Sequence, residues 1–282
     1  MNLKCNIEPT AIQDAGACLA SASHLIIDLD GTLIREDEAI EGAAELLARF
    51  RDRYVIVSNN STHTAHGVAR RLRRLGLRVE PERIVLAGEQ TVDFMRRQHP
   101  AARILLAASA ALRRHAVRSG CLLVESEADF VVLGLDPLFD YARLSLMIDQ
   151  LRRGARLVVT NGDLSHPGAN GTRVPETGAL LAAVVAASGV PPAWFIGKPE
   201  APLLREGLRR LGATPASTVV IGDNPATDAI GAHNLGMRCL LVDSACPAGT
   251  ATLAALLRAQ DAACSSAAPV GAAFIRSRLA NA

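Results

Sequence analysis

Leu25-Ile26-Ile27-Asp28-Leu29-Asp30-Gly31-Thr32-Leu33 is the stretch that decides the fold class of this 282-residue chain. Its apolar start is typical of a buried strand, and Gly31 marks the turn that ends the strand. Side chains two positions apart lie on the same face of an extended chain, so Asp28 and Asp30 should project together from the strand's carboxyl end. Open α/β sheets place their active sites at that edge. The stretch therefore predicts an α/β sheet with paired carboxylates at its functional edge.

Two carboxylates held close together repel each other, and the repulsion raises their pKa values. A divalent cation relieves it, and hard cations such as Mg²⁺ prefer oxygen ligands. The pair thus predicts a metal site, with one carboxylate left free as a nucleophile or an acid. The alternative is an acidic turn in contact with solvent.

A second strand pattern, Tyr54 to Ser58, ends in small polar side chains, Ser58-Asn59-Asn60. Hydroxyl and amide groups can hydrogen-bond phosphate oxygens without adding charge. Ser58 follows Asp28 by 30 positions, which is about the length of one βαβ unit. The alternative for Ser58 is the N-cap of a helix.

Two further segments end in charged residues. Trp194-Phe195-Ile196-Gly197-Lys198-Pro199 carries a lysine between Gly and Pro, which restrict the local backbone and suit a positioned ammonium group. Thr218 to Gly222 is a strand pattern followed by Asp223 and Asp228. Asp223 could complete the metal site, and Asp228 could bind the metal's waters or orient Lys198. The alternatives are a surface lysine and aspartates that cap helices or turns.

In order, these four segments resemble the four signature motifs of the haloacid dehalogenase superfamily of phosphohydrolases. Val131 to Pro137, Val159 to Asp163 and His166-Pro167 resemble the cap of its NagD-like, para-nitrophenylphosphatase-like class IIA branch. The resemblance extends over roughly residues 20 to 247. One departure is Glu176 after Pro175, where the family usually has Gly, and it leaves the shape of the cap loop open.

The residue types and the resemblance imply the same mechanism. Asp28 attacks phosphorus and forms an aspartyl-phosphate, while Asp30 protonates the leaving oxygen and then activates water. Mg²⁺ is held by the carboxylates of Asp28 and Asp223 and by the backbone carbonyl of Asp30. Ser58 and Lys198 hold the transferring oxygens.

Five further residues are candidates for substrate binding. Asn59 and Asn60 are expected to place the substrate or the adjoining loop. Asn161, Asp163 and His166 in the cap are candidates for substrate selection, and their alternative role is to form loop turns.

The spacing of the segments predicts the domain organisation. Lys198 follows Ser58 by 140 positions, far more than one crossover needs. We therefore expect a doubly wound, Rossmann-like, mostly parallel sheet with an inserted smaller α/β cap. The predicted catalytic core spans residues 1–84 and 193–282, and the predicted cap spans residues 85–192.

Composition narrows the classes of function. Hydrophobic residues at 49% and charged residues at 21% are typical of a globular chain. The net charge of +2 and the arginine pairs scattered over helical patterns do not favour nucleic-acid binding, because the pairs are interpreted as solvated helix faces. The longest apolar stretch, Gly178 to Val190, is too short to span a membrane. An Ala/Ser-rich tail at residues 264–273 is expected to be mobile.

The six cysteines form no Cys-x-x-Cys pair, and no apolar signal segment is recognisable near the N-terminus. These features predict a cytoplasmic protein with reduced thiols and without zinc. The expected partner is a small phosphorylated metabolite, with a homodimer through the cap as a further prediction.

Three classes of function remain open from the sequence. The first is a Mg²⁺-dependent phosphatase; the second is a phosphotransferase or another hydrolase with an aspartate nucleophile. Asp30 argues against a dehalogenase, because a halide leaving group needs no acid. The third is a non-catalytic binding protein on the same fold. Phosphoglycolate, sugar phosphates, nucleoside monophosphates, pyridoxal phosphate and a pathway-specific intermediate all remain as substrates.

Overall fold

Two parallel sheets organise the protein in the computed structural model, which describes residues 12–167, 172–242 and 252–266. The strands are β1 His24–Ile27, β2 Ile34–Arg35, β3 Glu38–Ala39, β4 Tyr54–Ser58, β5 Ile84–Leu86, β6 Arg103–Ala107, β7 Leu122–Leu123, β8 Phe130–Leu133, β9 Arg156–Val159, β10 Ser165–Pro167, β11 Arg173–Pro175, β12 Trp194–Phe195, β13 Thr218–Gly222 and β14 Arg238–Leu241. The helices are α1 Ile12–Ala20, α2 Ala43–Phe50, α3 Ala65–Arg74, α4 Ala87–Gln98, α5 Ala110–Arg118, α6 Tyr141–Arg152, α7 Thr177–Ser188, α8 Ala201–Leu211, α9 Ile230–Asn234 and α10 Leu253–Ser266.

The first sheet has the order β14-β13-β1-β4-β5, and all its neighbouring strands are parallel. Leu25 of β1 lies opposite Val219 on one side and Tyr54 on the other. Helices cover both faces of such a sheet, so its central strands are apolar throughout rather than alternating. The mostly parallel α/β fold predicted from the sequence is therefore confirmed.

The strand order of this sheet reverses at β1, its central strand. The crossover from β1 leads to β4 on one side, and the strand on the other side is β13, which comes much later in the chain. The carboxyl ends of these three strands meet at one edge, where doubly wound sheets bind their ligands. The functional segments found in the sequence therefore converge there.

The second sheet has the order β12-β9-β8-β6-β7 and is also parallel. Helices α4 and α5 contribute to the apolar core on one face, and α6 and α7 contribute to the core on the other. This sheet and its helices form the inserted α/β unit expected between the second and third motifs.

The sequence predicts a cap of residues 85–192, and the strand pairing favours slightly different boundaries. β5 pairs with β4 in the first sheet, whereas β12 pairs with β9 in the second. The Trp194 ring lies among Phe94, His99 and Phe130, which all belong to the second sheet and its helices. We therefore propose a cap of residues 87–195, and "the core" below means the remaining described residues. Lys198 thus follows a strand of the cap sheet.

Several expectations concern the rest of the chain. Cys18, Cys121, Cys239 and Cys264 are free thiols, and Cys5 and Cys246 lie outside the described residues. The predicted tail is helical up to Ser266, beyond which it is not described. Among the described helices, none is long and apolar enough to cross a bilayer.

Two helices from opposite ends of the described chain, α1 and α10, pack closely against each other. A Cβ built on Gly16 of α1 would lie 2.4 Å from the carbonyl carbon of Ala259, which is too close for any real side chain. Backbone atoms cannot yield as the end of a flexible side chain can, so glycine is required at this crossing.

We predict that Gly16→Ala lowers the free energy of unfolding by about 1–3 kcal/mol, because it overpacks this helix crossing. Gly67→Ala in α3 is the matched control, since its new Cβ meets nothing closer than 3.4 Å. A helical Gly→Ala change without a clash stabilises by about 0.5–1 kcal/mol. Urea unfolding monitored by circular dichroism measures both values, and equal effects of the two variants would contradict the close packing.

Candidate active site

Three side chains lie at adjacent strand ends of the core sheet. Asp28 directly follows β1, and its amide continues the ladder by donating to the Ile221 carbonyl at 2.8 Å. Ser58 is the last residue of β4, and Asp223 directly follows β13. Asp28 and Ser58 are buried, whereas Asp223 is exposed. The strand pattern in the sequence predicted this convergence.

Lys198 connects the buried carboxylates. Its Nζ lies 2.6 Å from Oδ1 of Asp28 and 2.7 Å from Oδ1 of Asp228, and only 3% of its side chain is exposed. Burial by itself lowers the pKa of this ammonium, but the carboxylates of Asp228 and Asp28 outweigh burial and raise the pKa. Lys198 is therefore held in its charged form between the two carboxylates.

A π-helical turn, Pro225–Ala229, presents Asp228 to that lysine. The second carboxylate oxygen of Asp228 accepts from the Asn224 amide at 3.2 Å, which fixes the direction of the side chain. A Cβ on Gly222 would lie 2.3 Å from Cγ of Asp228, so the last residue of β13 must be glycine for Asp228 to approach. Asp228 was expected either to bind the metal's waters or to orient Lys198, and this geometry favours the second role.

Oxygen atoms of Asp28, Asp223 and Asp228 all lie within 4.8 Å of one another. Burial raises the pKa of Asp28, against the opposing effect of Lys198. Asp223 is exposed at the surface, yet the surrounding protein and Asp228 raise its pKa to about 6. A divalent cation would relieve this repulsion, and an all-oxygen donor set fits a hard cation. Gly31 has a φ of +86°, a backbone conformation that side-chain-bearing residues rarely adopt, so the turn after the first strand also needs its glycine.

Asp30 has a different environment, with 55% of its side chain exposed. The Arg71 guanidinium lies 3.8 Å from Oδ1 of Asp30. Although water reaches Asp30, the surrounding protein raises its pKa and Arg71 opposes that effect. Arg71 also donates to the Glu36 carbonyl and lies 3.6 Å from Asp37, so it joins α3 to the β2–β3 hairpin.

Arg71 was missed by the sequence analysis, which interpreted the paired arginines as solvated. Its side chain is three-quarters buried in this corner. No spacing in the sequence distinguishes it from Arg70, because the contact depends on where the hairpin folds back over α3. Each strand of this hairpin is only two residues long.

The candidate substrate-binding amides are already occupied by protein groups. Asn59 contacts Lys198 and Asp163, and the buried Asn161 donates to the Asn59 carbonyl at 2.9 Å. The Asn161 Oδ1 accepts from the Asp163 amide at 3.1 Å. The Asn60 Oδ1 accepts hydrogen bonds from the backbone amides of residues 62 and 63, and these contacts shape the loop. We therefore propose that Asn59 and Asn161 organise the site through these contacts.

His166 stands apart from these contacts. It lies on the β10–β11 hairpin of the cap, with 51% of its side chain exposed. Its Nδ1 is 2.7 Å from Oε1 of Glu176, the residue that departs from the family pattern. A positively charged His166 would lower the pKa of Asp30, though by less than Arg71 and Lys198 do.

Comparisons with known families give the same result as this geometry. A model of haloacid dehalogenase-like hydrolases matches residues 25–121, and a model of HAD-hydrolase-like proteins matches residues 195–263. The 5'-nucleotidase YutF of Bacillus subtilis is 34% identical over 77% of this chain and 85% of its own length. Dihydroxyacetone phosphatase of Corynebacterium glutamicum is 32% identical over 78% of this chain and 80% of its own.

Solved structures resemble the chain over both sheets. The p-nitrophenyl phosphatase of Archaeoglobus fulgidus has a TM-score of 0.75 at 27% identity, over 82% of this chain and 88% of its own. NagD of E. coli K-12 has a TM-score of 0.74 at 28% identity, over 83% of this chain and 91% of its own. With the four motifs assembled at one sheet edge, the chain belongs to the NagD-like, para-nitrophenylphosphatase-like class IIA branch of the haloacid dehalogenase phosphatases.

Proposed function

We propose that this phosphatase hydrolyses a small phosphomonoester through an aspartyl-phosphate on Asp28, with Mg²⁺ as its metal. The observation that carries the proposal is the placement of Lys198 between Asp28 and Asp228, beside Asp223. A nucleophile, a buried cation and a metal-binding acid then meet at one strand edge. Phosphoryl transfer relies on positioning and charge neutralisation of this kind.

The chain's own residues account for both chemical steps. An oxygen of Asp28 attacks phosphorus in line, and the bond from phosphorus to the ester oxygen breaks while Asp30 gives that oxygen a proton. Asp30 then takes a proton from the water that attacks the aspartyl-phosphate, releasing inorganic phosphate and restoring Asp28. Ser58 and Lys198 hold the phosphoryl oxygens. Thr32, whose hydroxyl is 3.4 Å from Asp28, helps to orient the nucleophile.

The metal site is assigned to the carboxylates of Asp28 and Asp223 with the backbone carbonyl of Asp30, and Asp228 stays with Lys198. Bound Mg²⁺ would neutralise the charge that keeps an anionic nucleophile away from an anionic phosphate. No cysteine or histidine belongs to the acidic cluster of the described chain, which favours Mg²⁺ over zinc.

Turnover of p-nitrophenyl phosphate tests the proposal directly. We predict that EDTA removes activity, that Mg²⁺ restores it, and that Asp28→Asn has no measurable turnover because the amide keeps the shape but lacks the nucleophile. Asp149→Asn is the control, since Asp149 pairs with Gln150 of α6 and with Arg153 at the C-terminal cap of that helix, away from the acidic cluster. Full activity in metal-free buffer, or phosphate release by a clean Asp28→Asn preparation, contradicts the assignment.

Metal binding has a readout that is independent of turnover. At 100 times its dissociation constant, a bound ion stabilises the folded state by about 2.7 kcal/mol, which raises Tm by about 5 °C in a protein of this size. We predict such a rise with Mg²⁺ for the wild type and for Asp149→Asn, but not for Asp223→Asn. An equal rise in Asp223→Asn would remove that residue from the metal site.

The names of the relatives indicate different substrates: one is a 5'-nucleotidase, one a dihydroxyacetone phosphatase and others acid sugar phosphatases. We propose that this chain acts on a small phosphorylated metabolite and that His166 contributes to selection. Its ring is half exposed, is oriented by Glu176 and, when charged, would lower the pKa of Asp30, the proposed acid for the leaving oxygen.

We predict that His166→Ala changes kcat/KM by different factors for aryl, sugar and nucleotide esters. Lys198→Ala should depress all esters alike, because every substrate shares the phosphoryl group. His233→Ala, at an exposed position of α9, is the control. A single common factor for His166→Ala across the ester panel would exclude it as a selecting residue.

Two predictions from the sequence concern the protein's surroundings. A cytoplasmic location and a homodimer through the cap both remain predictions. Sedimentation velocity of the purified protein measures the assembly, and a monomer at micromolar concentration would exclude the dimer under those conditions.

A further inference from the structure

The loop of residues 59–62, which follows β4, is one place where the cap contacts the core. Ser109, just beyond β6, donates to the Thr62 carbonyl at 2.7 Å. Leu135, just beyond β8, donates its amide to Oγ of Ser61 at 3.0 Å. Beyond β9, Asn161 donates to the carbonyl of residue 59. The carboxyl ends of three adjacent cap strands therefore each hold one point of a four-residue loop.

Within this loop, the Asn59 side chain contacts both backbone polar groups of Lys198. Its Oδ1 accepts from the Lys198 amide at 2.7 Å, and its Nδ2 donates to the Lys198 carbonyl at 3.0 Å. The other Nδ2 hydrogen goes to Oδ2 of Asp163 in the cap, also at 3.0 Å. Only one orientation of the amide satisfies all three contacts, because oxygen must face the N–H and nitrogen the two oxygens.

Space around the amide is also restricted. A Cβ on Gly197 would lie 2.6 Å from Oδ1 of Asn59, so the residue before Lys198 must be glycine for the contact to form. The Gly197 amide in turn donates to the Thr160 carbonyl of the cap at 2.7 Å. The backbone that carries Lys198 is thus held by Asn59 on one side and by the end of β9 on the other.

We propose that Asn59 is a positioning residue that sets Lys198 and couples it to the cap through Asp163. The inference rests on the proposed function, in which Lys198 holds the phosphoryl group. It reassigns Asn59 and Asp163 from substrate binding to placement of a group that every substrate meets. A displacement of the cap loop at Asp163 is then transmitted through one amide to the lysine between Asp28 and Asp228.

The discriminating variant is Asn59→Asp. The carboxylate still accepts from the Lys198 amide, but it cannot donate to the Lys198 carbonyl and it faces the like charge of Asp163. We expect kcat to fall by about 10–100-fold, the cost of a small displacement of a catalytic group. The factor should be the same for aryl, sugar and nucleotide esters, and inhibition by orthovanadate, a phosphoryl analogue, should weaken as well. Asn234→Asp, an exposed asparagine of α9, controls for the charge change and should leave kcat unaltered.

Rescue separates positioning from a general loss of structure. In Asn59→Asp/Asp163→Asn the new amide can donate to the new carboxylate, so we expect at least a threefold recovery of kcat over Asn59→Asp. If Asn59→Asp does not fold, Asp163→Ala takes its place: it removes the cap contact alone and should lower kcat for all esters by one common, smaller factor.

The possible outcomes are distinct. If the wild type with Mg²⁺ does not hydrolyse any ester, the proposed function fails and this inference with it. If the wild type is active and Asn59→Asp has the same kcat as Asn234→Asp, only the positioning role is overturned. If Asn59→Asp or Asp163→Ala lowers kcat by different factors for different esters, the positioning role is also overturned, because these side chains would then contact the substrate. If the double variant shows no recovery of kcat, the coupling of Asn59 to Asp163 is overturned.

Discussion

The buried ammonium of Lys198 between Asp28 and Asp228 is the interaction on which the rest of the site depends. Charges can be buried in a protein interior only when they are paired with good geometry, and removing one partner leaves an uncompensated buried charge. Both contacts of Lys198 are shorter than 2.8 Å and its side chain is almost fully buried. The ends of β1 and β13 must therefore adopt the shapes that bring the two carboxylates to it, and glycine at 222 is part of that shape.

The same constraint explains why the cap cannot be treated as a separate lid. Lys198 lies three residues after β12, the last strand of the cap sheet, and its ammonium group contacts Asp28 of the core. The Lys198 backbone is hydrogen-bonded by Asn59, which lies in the loop of residues 59–62 that the ends of three cap strands contact. The cap therefore does two kinds of work in this account. Its strand ends hold the loop that contacts Lys198, and its β10–β11 hairpin carries His166, the residue we propose for substrate selection.

The core of this arrangement could be predicted from the sequence, because strand ends and charged residues are local features. Asp28, Ser58 and Asp223 follow apolar runs, and parallel strands bring such ends to one edge. The assignment of Trp194-Phe195 to a sheet could not be predicted, because a two-residue strand has no periodicity to say which sheet it joins. Its aromatic neighbours in the cap decide that. The roles of Arg71 and Asn59 were hidden for a similar reason, since each depends on contacts with segments distant in sequence. Glu176 was noticed only as a departure from the family, and its pairing with His166 needed the folded hairpin.

The central claim is that Asp28 carries the phosphoryl group during turnover. Its most direct measurement is acid quench of the wild-type enzyme with Mg²⁺ and a radiolabelled phosphomonoester within the first turnover. Reduction with borohydride, which converts an aspartyl-phosphate to homoserine, and peptide mass spectrometry then locate the adduct. The account predicts homoserine at position 28 and at no other aspartate. Continued turnover with no trapped adduct, or a stable label on Ser58 or a histidine, would contradict it.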